Sequence, residues 1–91
     1  MEYRLIYTEK AQNNLQKLDA QISKKILKKL DSYIKNENPL SFAKKLINTE
    51  DISWRFRIGD YRAIFKIDHE TGNLVILVVL KIGHRKNIYN S

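Results

Sequence analysis

The chain has 91 residues, of which 43% are hydrophobic and 30% charged, with three glycines, one proline and no cysteine. This length predicts a single domain over residues 1–91, and the lack of cysteine excludes disulfides and thiolate metal sites. The longest apolar run is far shorter than the roughly 20 residues of a membrane span, and the first residues do not resemble a signal peptide. We therefore expect a cytoplasmic protein with no membrane partner.

The net charge of +7 comes from 17 Lys and Arg against 10 Asp and Glu, and it favours an anionic partner such as nucleic acid. The first half of the chain predicts a strand over residues 2–7, followed by a helical hairpin. Thr8 is the expected cap of the first helix. The second helix has one apolar face, and Pro39 follows its end. The apolar face consists of Ile22, Ile26, Leu27, Leu30, Tyr33 and Ile34.

The second half of the chain changes to a period of two. Residues 40–51 have a mixed pattern to which we assign no element. Three antiparallel strands are then predicted, separated by turns at Gly59-Asp60 and residues 69–73, with Gly83 ending the last one. The strands are expected over 52–58, 61–68 and 74–82. The nearly continuous apolar character of the last strand predicts a central position covered on both faces.

The order of these elements predicts an α+β fold. An N-terminal strand and a two-helix hairpin would pack on a mostly antiparallel β-sheet, in the order βααβββ. Because the helices need only one face of the sheet, the other face is left open for function.

Arginine is concentrated in the second half of the chain, which holds Arg55, Arg57, Arg62 and Arg85, four of the five arginines. Arg55 and Arg57 share one face of their strand, and Arg62 follows the turn on the partner strand. Neighbouring like charges destabilise a sheet, so folding does not require them. Since arginine binds phosphate through a planar fork of donors, the pattern indicates an RNA-binding site.

The C-terminal residues add groups suited to RNA chemistry. A base can stack on Tyr89 while cations hold the phosphates, and His84 is a candidate for proton transfer because histidine is the residue type that most often transfers protons near neutral pH. Lys44, Lys45 and Lys86 are further candidates for RNA binding.

The sequence has no phosphate-binding glycine loop, metal-ligand spacing or serine nucleophile motif, so no cofactor or metal is expected. An enzyme acting on RNA would then use the 2′-OH of the substrate as its nucleophile. Arginine is a poor base, so proton transfer falls to His84, Tyr89 or a group supplied by a partner.

The same residues carry a resemblance to a known family. The blocks Tyr3-Arg4-Leu5, Ala43-Lys44-Lys45-Leu46, WRFRIGDYR at 54–62 and GHRKNIY at 83–89 resemble the RelE/ParE superfamily of bacterial toxins, in particular the RelE branch. The resemblance implies the RelE-like microbial RNase architecture. It also implies an mRNA interferase, an endoribonuclease that cuts mRNA on the ribosome and inhibits translation. Its partner would be a cognate acidic, RelB-like antitoxin of a type II toxin–antitoxin system.

The resemblance assigns site residues position by position. Arg55 and Arg57 match the basic pair, Arg62 matches the cation after the turn, and Arg85 matches the arginine that follows the glycine of the last strand. Tyr89 matches the tyrosine that stacks on a substrate base.

Arginine replaces the lysines that the best-known members have at the basic pair, which leaves the general base open and favours His84. Two other functions remain alternatives. One is a ParE-like toxin that inhibits DNA gyrase by protein binding, and the other is an RNA-binding module without catalysis.

Overall fold

The chain forms five strands, two helices and two short 3-10 turns, in a computed structural model that describes residues 1–47 and 51–90. In chain order the elements are β1 (Glu2–Tyr7), α1 (Glu9–Lys17), α2 (Ala20–Ile34), a 3-10 turn (Pro39–Phe42), β2 (Ala43–Ile47), β3 (Ile52–Ile58), β4 (Tyr61–Thr71), β5 (Leu74–His84) and a second 3-10 turn (Ile88–Asn90).

Both helices begin at side-chain caps. The Thr8 hydroxyl accepts a hydrogen bond from the Ala11 N–H at 3.1 Å, and the Asp19 carboxylate accepts one from the Gln21 N–H at 2.9 Å. Each cap satisfies a backbone donor that the first helical turn leaves unpaired. Within the described residues, neither helix is long and apolar enough to cross a membrane.

The strands form one sheet in the order β1-β5-β4-β3-β2. β1 pairs parallel with β5, and every other pair is antiparallel. The helices cover one face, so the predicted α+β class, the helical hairpin and the mostly antiparallel sheet are confirmed. β5 is an internal strand as predicted, but only alternate residues are fully buried, so coverage of its second face is partial.

β2 is an additional strand, which makes the order βααββββ instead of βααβββ. Ala43–Ile47 pairs antiparallel with β3 and forms an edge of the sheet. The sequence pattern missed this strand because Lys44 and Lys45 are both exposed and lie on opposite faces, so neither face is uniformly apolar. Edge strands commonly carry such lysines, and here the pairing with β3 defines the strand.

The last two strands are longer than predicted. β4 continues to Thr71, so the predicted turn over residues 69–73 is reduced to Gly72 and Asn73, with Gly72 at a φ of +57°. β5 passes through Gly83 and ends at His84, so the expectation that Gly83 stops this strand was wrong. A Cβ at Gly83 would lie 3.1 Å from the Ile88 side chain, and the glycine thus lets the tail pack against β5.

A row of stacked aromatic rings crosses the core between α2 and the sheet. The ring centroids of Phe56 and Phe65 are 4.4 Å apart, those of Tyr33 and Phe56 are 5.1 Å apart, and those of Tyr33 and Phe42 are 4.7 Å apart. Phe56 and Phe65 are fully buried, whereas Phe42 is 42% exposed. The row runs from the solvent to the centre of the domain and fixes α2 on β3 and β4.

The protonation of Tyr7 makes the stability of the fold sensitive to alkaline pH. Its ring packs against the core, and burial, with a smaller contribution from the Asp31 carboxylate, raises the pKa of Tyr7 from 10.0 to about 12. A raised acid pKa means that the neutral form stabilises the fold below pH 10.0, and this stability is lost as the pH rises towards about 12. We expect the Tyr7→Phe variant to lose less stability than wild type between pH 10.0 and about 12. The free energies of unfolding of the two proteins, measured across that interval, test this. Identical pH profiles for the two proteins would contradict the assignment.

Candidate functional site

The sheet face opposite the helices carries a row of side chains across four strands. Lys44 of β2 pairs with Arg55 of β3, Arg55 pairs with Ile64 of β4, and Ile64 pairs with Lys81 of β5. Directly paired residues lie on the same face of a sheet, so these four side chains point to the same side. Arg55 and Lys81 therefore flank the buried Ile64, which is 5% exposed, and Lys44 lies beyond Arg55 in the same row.

A second row lies one step further along the strands. Arg57 of β3 pairs with Arg62 of β4, and Arg62 pairs with Gly83 of β5. Arg57 is exposed, whereas Arg62 is only 7% exposed. The missing side chain at Gly83 leaves room for Ile88 of the tail beside Arg62.

Arg62 is held rigidly at the centre of this surface. Its Nη1 donates hydrogen bonds to the carbonyl oxygens of Gly59 at 2.9 Å and Tyr61 at 2.8 Å, which fixes the guanidinium against the β3–β4 turn. These bonds compensate part of the cost of burying the charge. A guanidinium fixed in this way is oriented before any anion arrives.

The electrostatics of Arg62 show which residues surround it. Burial lowers the pKa of the Arg62 guanidinium, and the positive charges of Arg57, Arg55 and Arg85 lower this pKa further. Tyr89 acts in the opposite direction and raises it. An arginine still keeps its proton at neutral pH. We call these five residues the arginine cluster: Arg55, Arg57, Arg62, Arg85 and Tyr89.

The β3–β4 turn anchors the C-terminal tail that carries two members of the cluster. The Arg85 N–H donates to the Asp60 carbonyl at 2.8 Å, and the Arg85 Nε lies 3.7 Å from the Asp60 carboxylate. Ile88 is buried, at 3% exposed, while the neighbouring Tyr89 is 53% exposed. The tail thus holds the Tyr89 ring at the surface next to the arginines.

A shallow pocket of about 340 Å³ adjoins the arginine cluster on the same face. It is lined by Leu46, Ile47, Ser53, Ile64, Lys81 and Tyr89. Apolar walls beside a ring and a row of cations suit a nucleobase attached to a phosphate.

His84 lies away from the arginine cluster. It pairs with Tyr61, and the two rings meet edge to face with centroids 5.5 Å apart. Tyr61 packs against the helix-covered core, and the His84 Nδ1 accepts a hydrogen bond from the Lys86 N–H at 3.2 Å. The continuation of β5 through Gly83 therefore turns His84 towards the opposite face from Arg62.

The three lysines predicted to bind RNA are divided between surfaces. Lys44 belongs to the row of Arg55. Lys45 points to the other face, where its Nζ lies 5.8 Å from the centre of the Trp54 ring, and Lys86 is exposed in the tail. The structure thus brings Lys44 to the cluster and keeps Lys45 apart from it.

Lys81 lies on this face and lines the pocket, and the sequence did not identify it as a candidate. Burial lowers the pKa of the Lys81 amino group, and the nearby positive charge of Lys10 lowers it further. The only sequence indication was that Lys81 interrupts the apolar run of β5. Among the described residues, no group of three or more acidic or histidine side chains is placed to hold a metal ion.

Arg57 is expected to destabilise the fold, because it lies directly opposite Arg62 on the neighbouring strand. We expect Arg57→Gln to raise the free energy of unfolding by about 0.2–1 kcal/mol, as like charges paired across strands destabilise a sheet. Chemical denaturation at low and high salt measures this, and the gain should shrink in high salt.

Arg4→Gln is the matched control for this substitution, because Arg4 lies 2.6 Å from the Glu2 carboxylate and loses an attractive contact instead. An Arg57→Gln protein that is less stable than wild type at low salt would contradict the repulsion.

Residues 5–89 match the family described as ParE toxin of type II toxin–antitoxin system, parDE. None of the curated protein sequences is a significant match to the chain.

Several solved structures share the fold. The toxin–antitoxin complex RelBE2 from Mycobacterium tuberculosis contains a chain 25% identical to this one, with a TM-score of 0.72, and the match covers 93% of this chain and 100% of that chain. The archaeal RelE–RelB complex from Pyrococcus horikoshii gives 27% identity, a TM-score of 0.68, and coverage of 93% and 97%. A YoeB/ParE toxin from Agrobacterium tumefaciens, at 18% identity and a TM-score of 0.64, shares the fold over 92% of this chain and 98% of that one.

Proposed function

The chain belongs to the RelE/ParE superfamily of toxins of type II toxin–antitoxin systems, and we propose that it is an endoribonuclease that cuts mRNA on the ribosome. Such a toxin acts in the cytoplasm and inhibits translation by destroying messages as they are read. The observation that carries this proposal is the arginine cluster, in which three further arginines and a tyrosine, from the open sheet face and the tail, lie within electrostatic reach of Arg62.

The cluster suits cleavage by the 2′-OH of the substrate. Attack of that hydroxyl on the adjacent phosphate adds negative charge to the phosphate oxygens, and fixed guanidinium groups stabilise the charge as it develops. Arg62 is the best oriented of the four, because two carbonyl oxygens already hold it. In-line attack also requires the RNA to be bent, which the ribosome would provide by holding the message.

Each residue of the cluster has a role in this proposal. Arg55 and Arg57 bind the flanking phosphates, Arg62 and Arg85 stabilise the phosphate under attack, and the exposed ring of Tyr89 stacks on a neighbouring base. Lys44 and Lys86 add attraction to the RNA backbone, which is a salt-dependent contribution.

An acidic antitoxin is the proposed partner that keeps the toxin inactive. The solved relatives from Mycobacterium tuberculosis and Pyrococcus horikoshii are complexes of toxin and antitoxin. The net charge of +7 on this chain suits an acidic segment that folds on contact. Coverage of the arginine cluster by such a segment would exclude RNA.

A second candidate is inhibition of DNA gyrase by protein binding, because the matching family is described as ParE toxin. A gyrase inhibitor would have no evident need of four arginines and a stacking ring on one face. The arrangement therefore favours the nuclease.

A translation extract with a defined message separates these functions. We expect the purified protein to generate new 5′ ends inside the translated region, mapped by primer extension, and to leave the same message intact when ribosomes are absent. Gyrase supercoiling, assayed in parallel, should be unaffected. Loss of supercoiling with an intact message would support the ParE-like function, and binding of RNA without new ends would support a non-catalytic module.

A further inference from the structure

We propose that Lys81 is the general base of this site and accepts the proton of the attacking 2′-OH. The inference rests on the proposed endoribonuclease function and supplies the group that it lacks. The arginines of the cluster hold their protons too strongly to serve, and the His84 ring is turned against Tyr61.

The register of the sheet sets Lys81 opposite Arg55 with Ile64 between them. Neighbouring strands lie about 4.8 Å apart, so the Arg55 and Lys81 backbones are separated by about 10 Å, which their long side chains can span. A phosphate above Ile64 would therefore contact the guanidinium on one side and the amine on the other. Lys81 also lines the pocket that holds Tyr89, so a stacked nucleotide would lie beside the amine.

The surroundings of Lys81 favour the neutral amine. Its partial burial and the charge of Lys10 from α1 both act against protonation, and they lower the pKa of the group. Arg55 faces it across Ile64, Arg62 and Lys66 flank Ile64 on β4, and Tyr89 faces it from the tail. A lowered pKa increases the fraction of neutral amine at a given pH, and the neutral amine is the form that accepts a proton.

The step balances without a further reactant. The neutral Lys81 Nζ takes the proton of the 2′-OH, and the 2′ oxygen forms a bond to phosphorus. The bond from phosphorus to the 5′ oxygen breaks, and that oxygen leaves with the electron pair and takes a proton from water. The products are a 2′,3′-cyclic phosphate and a 5′-hydroxyl, and the Lys81 ammonium then returns its proton to solvent.

Single-turnover cleavage of ribosome-bound mRNA tests the assignment with three variants. Lys81→Arg keeps the charge but removes the base, Lys81→Met removes both, and Lys66→Met removes a charge from the same face as the matched control. We expect Lys81→Arg and Lys81→Met to cleave about 100-fold more slowly or worse, which is the usual contribution of a general base. Lys66→Met should cleave at the wild-type rate.

The pH profile and binding separate a base from a merely structural residue. The wild-type rate should rise with pH up to the pKa of Lys81, and this dependence should be absent from the residual activity of Lys81→Arg. Ribosome binding by Lys81→Arg should equal that of wild type. A Lys81→Arg protein that cleaves as fast as wild type would overturn the role of Lys81 as the base and leave the endoribonuclease function standing. Failure of the wild-type protein to cut any message would overturn the endoribonuclease function and Lys81 with it.

Discussion

Replacement of Arg85 by alanine is expected to slow mRNA cleavage by about 100- to 1,000-fold, the usual cost of removing one donor to a developing oxyanion. The Arg85 side chain is 52% exposed and its contact with the Asp60 carboxylate is long, at 3.7 Å. Exposed pairs of this kind contribute about 0–1 kcal/mol, so the free energy of unfolding should hardly change. The backbone hydrogen bond from Arg85 to Asp60 does not involve the side chain and is retained. Single-turnover cleavage and thermal unfolding of the same preparation measure both effects.

Arg4→Ala is the matched control for Arg85→Ala. Arg4 is also an exposed arginine, 65% exposed, that pairs through its Nε with a nearby carboxylate, that of Glu2. It lies on β1, at the far edge of the sheet from the arginine cluster. Removal of one positive charge is common to the two variants, so a slower rate in both would mean that net charge alone is responsible. Full activity of Arg85→Ala would contradict its role in the proposed reaction.

The largest loss of stability is expected for Phe56→Ala. Phe56 is fully buried and stacks on both Tyr33 and Phe65, so its removal leaves a cavity where α2 meets the sheet. Truncation of a buried phenylalanine to alanine typically costs about 3–5 kcal/mol, which is a large share of the stability of a small domain. In a domain of this size, each kcal/mol lowers the melting temperature by about 4–8 °C. Calorimetry or denaturant titration measures the loss directly.

Phe42→Ala is the corresponding control, because Phe42 is the exposed end of the same aromatic row. It removes the same number of atoms from a ring that is 42% exposed, so the loss should be clearly smaller. Equal losses at Phe42 and Phe56 would mean that the row is not anchored in the core as described.

The hydrophobic pattern predicted most of this fold because the helices and β3 each bury one face. In β3, Phe56 and Ile58 are buried on one side while Arg55 and Arg57 point to the other, so the alternation could be read directly. β2 gave no such pattern. Lys44 and Lys45 both extend into solvent, and the strand is defined by hydrogen bonds to β3, which no local pattern contains.

The arginines of the candidate site could be predicted from the sequence, but the positions of the other residues around them were harder to predict. His84 follows Gly83, and its face depends on whether β5 continues through that glycine, which it does. Lys81 sits in an apolar run, and its neighbours Ile64 and Arg55 come from strands whose register the sequence does not specify. Arg62 is buried where the tail packs beside Gly83, and the number of charges in the sequence does not predict this packing.

The parallel pairing of β1 with β5 has a consequence for how the protein folds during its synthesis. Glu2 pairs with Leu74 and Tyr7 with Val79. Of the five strands, β1 is therefore synthesised first and its partner β5 is synthesised last. Contacts between such distant segments form slowly, because a long loop must close before they contribute. During synthesis, β1 and the helices that follow it would remain without their sheet partner until β5 emerges from the ribosome. A nascent chain would therefore lack the assembled arginine surface until β5 and the tail that follows it have been synthesised.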